Sequence, residues 1–327
     1  MALLEVKGLE VVFPTRGGVL RALRGIDFDL EAGDRLGIVG ESGAGKSMAA
    51  FAILNLISKP GRIAAGEILF EGQDLVSMSA AGLRSIRGNR IAMIFQDPMM
   101  TLNPVLTVGR QMVEALKAHQ RIGFSEARAR SIEKLREVAV PSPESRFDAY
   151  PHELSGGLRQ RVVIAIALLT DPAIIIADEP TTALDVTIQA EILALLLELC
   201  ANRKVGLILI THDLAVVSQV TERIIVMYAG RIVEAGRTSA VIAHPRHPYT
   251  TGLIEALPEQ NPPGQPLNQI PGRMPSLDAI PDGCAFNPRC AHVIERCRRE
   301  RPELQAVEQS FAACHEAPRL AAGSVRL

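Results

Sequence analysis

Gly40, Gly45, Lys46 and Ser47 stand in the spacing G-x-x-x-x-G-K-S within the run LGIVGESGAGKS. Glycines so placed let the backbone curl until its N–H groups point inward, and a following helix adds its positive end. A loop of this kind cradles phosphate oxygens. Gly40, Glu41, Ser42, Gly43, Ala44, Gly45, Lys46 and Ser47 are therefore the expected nucleotide-binding loop. Lys46 would reach the β- and γ-phosphates, and the Ser47 hydroxyl would ligate Mg²⁺. A second group is IIIADEP, where an apolar run ends in Asp178. Its carboxylate falls at the carboxyl edge of a sheet, where ligands bind in α/β folds. There it would hold the Mg²⁺ shell through water. Glu179 is placed to polarise an attacking water as general base. A third group, Ser155, Gly156 and Gly157 in HELSGGLRQR, precedes an apolar helix and makes another small-residue loop at a helix N-terminus. Taken alone, that group reads more plainly as an N-cap.

The elements needed to position these groups are visible in the hydrophobic patterning. LLEVKGLEVVF and LRGIDFDLEAGDRLGIVG read as short strands, KSMAAFAILNLI as the helix behind the phosphate loop, and residues 105–140 as polar-rich helix with periodic apolar positions. An apolar helix from 160, the strand AIIIAD, a helix from about 187 to 203 and the strand VGLILIT follow. This alternation predicts an α/β core with parallel strands covered on both faces. After about residue 243 Pro and Gly become dense, in HPRHPY, LPEQNPPGQPL and QIPGRMPSL, and a boundary is expected near 240–260.

At 327 residues the chain suffices for one large domain or two. Lys and Arg number 35 against 36 Asp and Glu, which gives no basic field for nucleic acid. MALLEVKGLEVVF lacks a basic stretch followed by a continuous apolar run, so no secretory signal is expected. The longest apolar runs, such as VVIAIALL, fall short of the roughly 18 residues of a membrane span. The expected setting is cytosolic, where clustered cysteines point to metal or redox chemistry before disulfides.

In order along the chain, the phosphate loop, IFQDP, LSGGLRQR, IIIADEPTTALD and ITHD resemble the nucleotide-binding domain of ABC transporters. That resemblance implies an ABC-type phosphate-loop domain with a RecA-like core, an antiparallel β subdomain and a helical subdomain at about 98–165. It implies that Phe13 stacks on adenine, that Gln96 senses Mg²⁺ and the γ-phosphate, and that His212 contacts the γ-phosphate. Without it, a histidine at the end of a strand is more often structural. Leu154, Ser155, Gly156 and Gly157 match the signature loop; Leu158 departs from the commoner glutamine. Asp185, in TALD, matches the loop that communicates across a dimer. Each ATP would lie between the phosphate loop of one subunit and the signature loop of another, so a second ATPase subunit is implied.

GESGAGKS, MIFQDPMMTLNPVLTVG, YPHELSGGLRQR, ADEPTTALDVTIQA and HPRHPYTTGLIEALP further resemble the ATP-binding subunits of bacterial dipeptide and oligopeptide permeases, the peptide/nickel branch. This implies MgATP hydrolysis driving peptide import, a homologous partner subunit (a heterodimer being favoured), two transmembrane permease subunits and a solute-binding protein. It also implies peripheral attachment to the cytoplasmic face of the inner membrane, with DPMMTLNPVL receiving a helix of the permease. Nickel or another small solute is the alternative cargo. A non-transport ABC ATPase with a redox-sensing tail is the other alternative, but no tandem domain, coiled-coil insertion or basic arm supports it.

The expected division is an ATP-binding domain at 1–245 and a loop-rich, cysteine-bearing extension at 246–327. Cys284, Cys290, Cys297 and Cys314 are separated by five, six and sixteen residues, without the C-x-x-C pair of a zinc ribbon. One continuous helix over 290–297 would hold two of them about 10 Å apart along its axis. Ligands of one metal must come closer, so the helix is predicted to start after Cys290, helped by Pro288. Four thiolates suit a [4Fe–4S] cluster or Zn²⁺, with His292 or His315 able to replace one thiolate on zinc. The permease resemblance implies the cluster. Cys200, on EILALLLELC, reads as a small buried hydrophobe.

Overall fold

The computed structural model describes residues 2–97, 101–182, 184–261 and 267–322. The chain folds into two compact units. The first comprises Met1–Leu30, Arg35–Val76 and Leu209–Leu327; the second comprises Glu31–Asp34 and Ser77–Ile208.

In the first unit, the strands Leu4–Thr15, Gly18–Leu30, Arg62–Phe70 and Gln73–Asp74 form an antiparallel sheet, with the first strand between the second and the third. Leu4, Leu9, Leu23 and Leu30 are fully buried on it. Arg35–Val39 reads almost continuously apolar because it lies in a covered parallel sheet, paired with Arg223–Tyr228. Arg231–Arg237 continues this sheet antiparallel, in the register Arg231 opposite Tyr228.

Residues beyond 246 belong to the same unit as the phosphate loop. Beyond the Pro-rich stretches, Ser310–Ala312 pairs with Arg231–Arg237, and Gln305–Val307 forms the next strand outward. The short helices Pro248–Glu255 and Glu295–Arg299 also form here. The second starts five residues beyond Cys290, as the metal-ligand argument requires, and Cys290 itself ends the single turn Asn287–Arg289.

The second unit is mostly helical. Helices Val108–Lys117 and Phe124–Glu137 occupy the stretch of helical periodicity, and Gly156–Leu168 and Val186–Arg203 follow. Its strands Ile91–Ile94 and Ile174–Asp178 run parallel, and every residue of the latter is buried. The chain passes back to the first unit within Gly206–Thr211, also buried throughout. Among the described residues no helix is long and apolar enough to cross a membrane. Positions 98–100, within the DPMMTLNPVL stretch and at the start of the expected helical subdomain, lie outside the described residues.

Candidate functional site: a phosphate loop, a strand-end carboxylate pair and a cysteine pocket

The phosphate loop joins the strand Arg35–Val39 to the helix Lys46–Ile53. Two of its glycines are fixed by geometry. Gly40 has φ 152°, and a Cβ there would come 2.4 Å from the Met227 carbonyl oxygen. Gly45 has φ 104° and begins the helix without any side-chain cap. A left-handed backbone with no room above it excludes other residue types. Lys46 is buried, at 6% exposure, and its ammonium donates to the carbonyls of Gly40 at 2.8 Å and Glu41 at 3.1 Å. Its charge therefore sits inside the curl of the loop, where phosphate oxygens would be bound. Ser47 follows on the first turn of the helix.

Sequence reasoning missed what holds the loop from outside. The Arg289 guanidinium, only 3% exposed, clasps the Glu41 carboxylate with both arms, Nη1 to Oε2 at 2.6 Å and Nη2 to Oε1 at 3.0 Å. It also donates to the carbonyls of Pro271 at 2.9 Å and Ile270 at 3.4 Å. The Glu41 N–H donates to Tyr249 Oη at 2.8 Å. Tyr228, Tyr249 and Phe286 pack ring against ring beneath this clasp, with centroids 4.7 to 5.5 Å apart. Burial of Tyr249 pushes its phenol well above the usual range, so it stays neutral as an acceptor. The available signal was position: Arg289 directly precedes Cys290, and Tyr249 lies in HPYT.

Phe13, near the end of the first strand, packs its ring on Gly61 so closely that a Cβ there would meet Cε1 at 2.4 Å. His212 is exposed directly after Gly206–Thr211, and the next residue, Asp213, caps the helix Leu214–Val220.

In the second unit, Asp178 ends its strand at 3% exposure. Glu179 takes a left-handed backbone, φ 45°, unusual for a side chain of its size. Its carboxylate Oε2 accepts from Gln96 Nε2 at 2.9 Å and from Thr182 Oγ1 at 3.0 Å. The fold thus brings Gln96 and Glu179 together across 83 positions. Ser155 caps the helix Gly156–Leu168, its Oγ accepting from Leu158 N–H at 3.4 Å, while Leu154 is buried. Gly157 also packs closely, since a Cβ there would stand 2.9 Å from Ile188 Cγ2 and push that side chain aside. Asp185 caps Val186–Arg203, accepting from Ile188 N–H at 3.0 Å.

Cys284, Cys290, Cys297 and Cys314 line one small cavity with His292 and His315. The Cys284 N–H donates to the Cys297 carbonyl at 2.8 Å, which ties the first cysteine loop to the short helix. All five cysteines are free thiols. Burial pushes Cys284 up to about 11 and Cys314 up to about 12, with the neighbouring cysteines adding to both shifts. Among the described residues no three Cys, His, Asp or Glu side chains stand in metal-holding geometry. The soft donor set fits a thiophilic metal. The cavity they line is small, about 10 Å³. Cys200 is buried on the helix Val186–Arg203, as its apolar setting predicts.

A buried lysine in a glycine-bounded loop, together with a strand-end Asp-Glu pair and a Ser-Gly-Gly helix cap elsewhere in the chain, describes an ABC ATPase cassette. The fold agrees: a dimeric bacterial ABC transporter cassette, MJ0796, superposes with TM-score 0.65 at 28% identity, covering 72% of this chain and 98% of that one. CbiO1 of Clostridium perfringens, part of the transporter complex cbiONQ, superposes with TM-score 0.63 at 29% identity, covering 74% and 91%. The ABC transporter family matches residues 23–182, and the oligopeptide/dipeptide transporter C-terminal region matches residues 233–297. Dipeptide transport ATP-binding protein DppD of Escherichia coli is 49% identical over 96% of this chain and 97% of its own length. Oligopeptide transport ATP-binding protein OppD of Bacillus subtilis is 48% identical over 94% and 87%. The chain belongs to the family of dipeptide and oligopeptide ABC transporter ATP-binding proteins.

Proposed function

We propose that this chain is the subunit that binds and hydrolyses MgATP to drive import of dipeptides or oligopeptides through a membrane permease. The observation that carries the reading is Lys46, buried inside the phosphate loop of a chain matched almost end to end by peptide-transport ATPases. Lys46 and the loop N–H groups bind the β- and γ-phosphates, and Phe13 lies against adenine. Ser47, Gln96 and Asp178 offer oxygen donors, the set that Mg²⁺ prefers, and would hold that ion. The metal supplies charge neutralisation on the phosphates. Glu179 orients and deprotonates the attacking water, and His212 contacts the γ-phosphate. Leu154, Ser155, Gly156, Gly157 and Asp185 serve the nucleotide of a second ATPase subunit, in a heterodimer. Two permease subunits and a solute-binding protein complete the assembly at the cytoplasmic face of the inner membrane.

The functional boundary we assign separates 1–245 from 246–327, with a helical subdomain at about 98–165; the two family matches fall on either side of 183–232. For the cysteine pocket we carry forward a [4Fe–4S] cluster, with Zn²⁺ as the alternative, supported by four thiols around one cavity. Anaerobic purification, visible absorption and iron and zinc analysis separate these two, and a colourless protein with stoichiometric zinc overturns the cluster. Reconstitution with candidate permease subunits tests the import reading. ATP hydrolysis that rises on assembly and vanishes in Lys46→Ala is expected; absence of membrane association and of stimulation refutes it.

A further inference from the structure

A cavity of about 580 Å³ lies in the first unit, within the size range of metabolite sites. It is lined by three guanidinium groups, Arg24, Arg231 and Arg301, and by the apolar side chains of Ile280, Leu304 and Phe311. Only Arg301 has an ion-pair partner among the described residues, Glu303 at 3.3 Å. Arg24 Nε and Arg231 Nε are buried with no hydrogen-bond partner. Such orphaned donors are uncommon and costly in a finished fold.

The carboxylates at the wall leave these two Nε donors without a hydrogen bond. Glu303 is taken by Arg301, and Asp27 Oδ1 accepts from the Gly8 N–H at 2.7 Å. Asp282 also lines the cavity, and Glu10, outside the lining, is paired with Arg21 at 3.0 Å. Burial, then the charges of Arg301 and Arg24, bring Arg231 down to about 10 against an opposing pull from Glu303 and Glu10; burial, then Arg21 and Arg301, lower Arg24 as well, against Glu10. The three cations therefore repel one another around a common space. Leu304 and Phe311, at 37% and 50% exposure, leave apolar surface facing the same region. An oxyanion would pair with the guanidinium groups of Arg24 and Arg231, which have no ion-pair partner among the described residues, and an attached hydrocarbon would cover the apolar wall.

We infer that this cavity is a binding site for an amphipathic organic anion, a carboxylate or phosphate ester with an apolar body, separate from the nucleotide site. The phosphate loop contributes none of its lining. Octyl phosphate and octanoate serve as probes for the two head groups, and octylammonium as the control of opposite charge.

Calorimetric titration of the full chain, with a non-hydrolysable ATP analogue already bound, should give saturable one-to-one binding of at least one octyl anion. The anion that binds more tightly identifies the head group. Arg231→Met and Arg24→Met should each weaken it about tenfold or more, the loss of one charge-assisted contact. MgATP affinity should stay within about twofold in both, and Arg231→Lys, which keeps the charge, should retain part of the binding. The inference is overturned by absence of saturation up to about 1 mM, by octylammonium binding as well as the anions, by affinities indifferent to both substitutions, or by displacement with the nucleotide. None of these results bears on the ATPase reading, which rests on other residues.

Discussion

Replacing Arg289 with Met tests whether the C-terminal segment sets the geometry of the phosphate loop. The change keeps much of the side-chain length and removes the two-armed contact to Glu41, together with bonds to Pro271 and Ile270. Each charge-assisted bond is worth about 1.5–3 kcal/mol when buried. Glu41 is 32% exposed, so water recovers part of its share, and a net loss of about 3 kcal/mol is expected. Glu41→Gln removes the other charge. A double-mutant cycle on urea-unfolding free energies should therefore return a coupling of about 2 kcal/mol, because the double variant strands no ion. The same cycle read on MgATP affinity carries the mechanistic content. Glu41 supplies a carbonyl to Lys46 and an N–H to Tyr249, so loosening it should weaken nucleotide binding about tenfold, or 1.4 kcal/mol. A coupling within about 0.5 kcal/mol of zero in both readouts would refute the reasoning.

Three other substitutions give sharp expectations. Glu179→Gln should leave MgATP binding within a few-fold while lowering hydrolysis by about 10² or more, measured as phosphate release with the nucleotide concentration saturating. Glu234, fully buried, is raised to about 7 by burial despite accepting from the N–H groups of Arg246 at 2.7 Å and His247 at 2.9 Å. A raised carboxyl holds more protons folded than unfolded, so its contribution is greatest below its unfolded value and is lost as pH rises to about 7; Glu234→Gln should flatten that slope in urea midpoints. Gly157→Ala drives a methyl to 2.9 Å from Ile188 Cγ2 and should cost about 1–3 kcal/mol, relieved by Ile188→Ala in the same background.

Local chemistry was the readable part of the sequence. The phosphate loop, the strand ending in Asp178 and the helix capped by Ser155 each announce themselves by residue type over a short stretch, and each occurs where the patterning places it. Pairings of distant residues were not readable. Gln96 with Glu179, and Arg289 with Glu41, are separated by 83 and 248 positions, and no period or cap links them. The short strands of the C-terminal segment were unreadable for a related reason. Proline and glycine do mark its turns, but the strand Ser310–Ala312 is only three residues long and is stabilised by its neighbour rather than by its own propensity.

That short strand also bears on how the chain can be cut or fused. Arg231–Arg237 is seven residues long, and Glu234, Ala235 and Gly236 on its outer edge pair with a hairpin whose outermost strand, Gln305–Val307, spans three. An edge so short offers a passing chain almost nothing to pair with, whereas the longer strand beneath it would offer the N–H and C=O groups that the hairpin now takes. The hairpin is thus a closure for the sheet. A version ending before Gln305 would retain its nucleotide loop but expose a template for edge-to-edge association, and fusion partners are better attached beyond the hairpin.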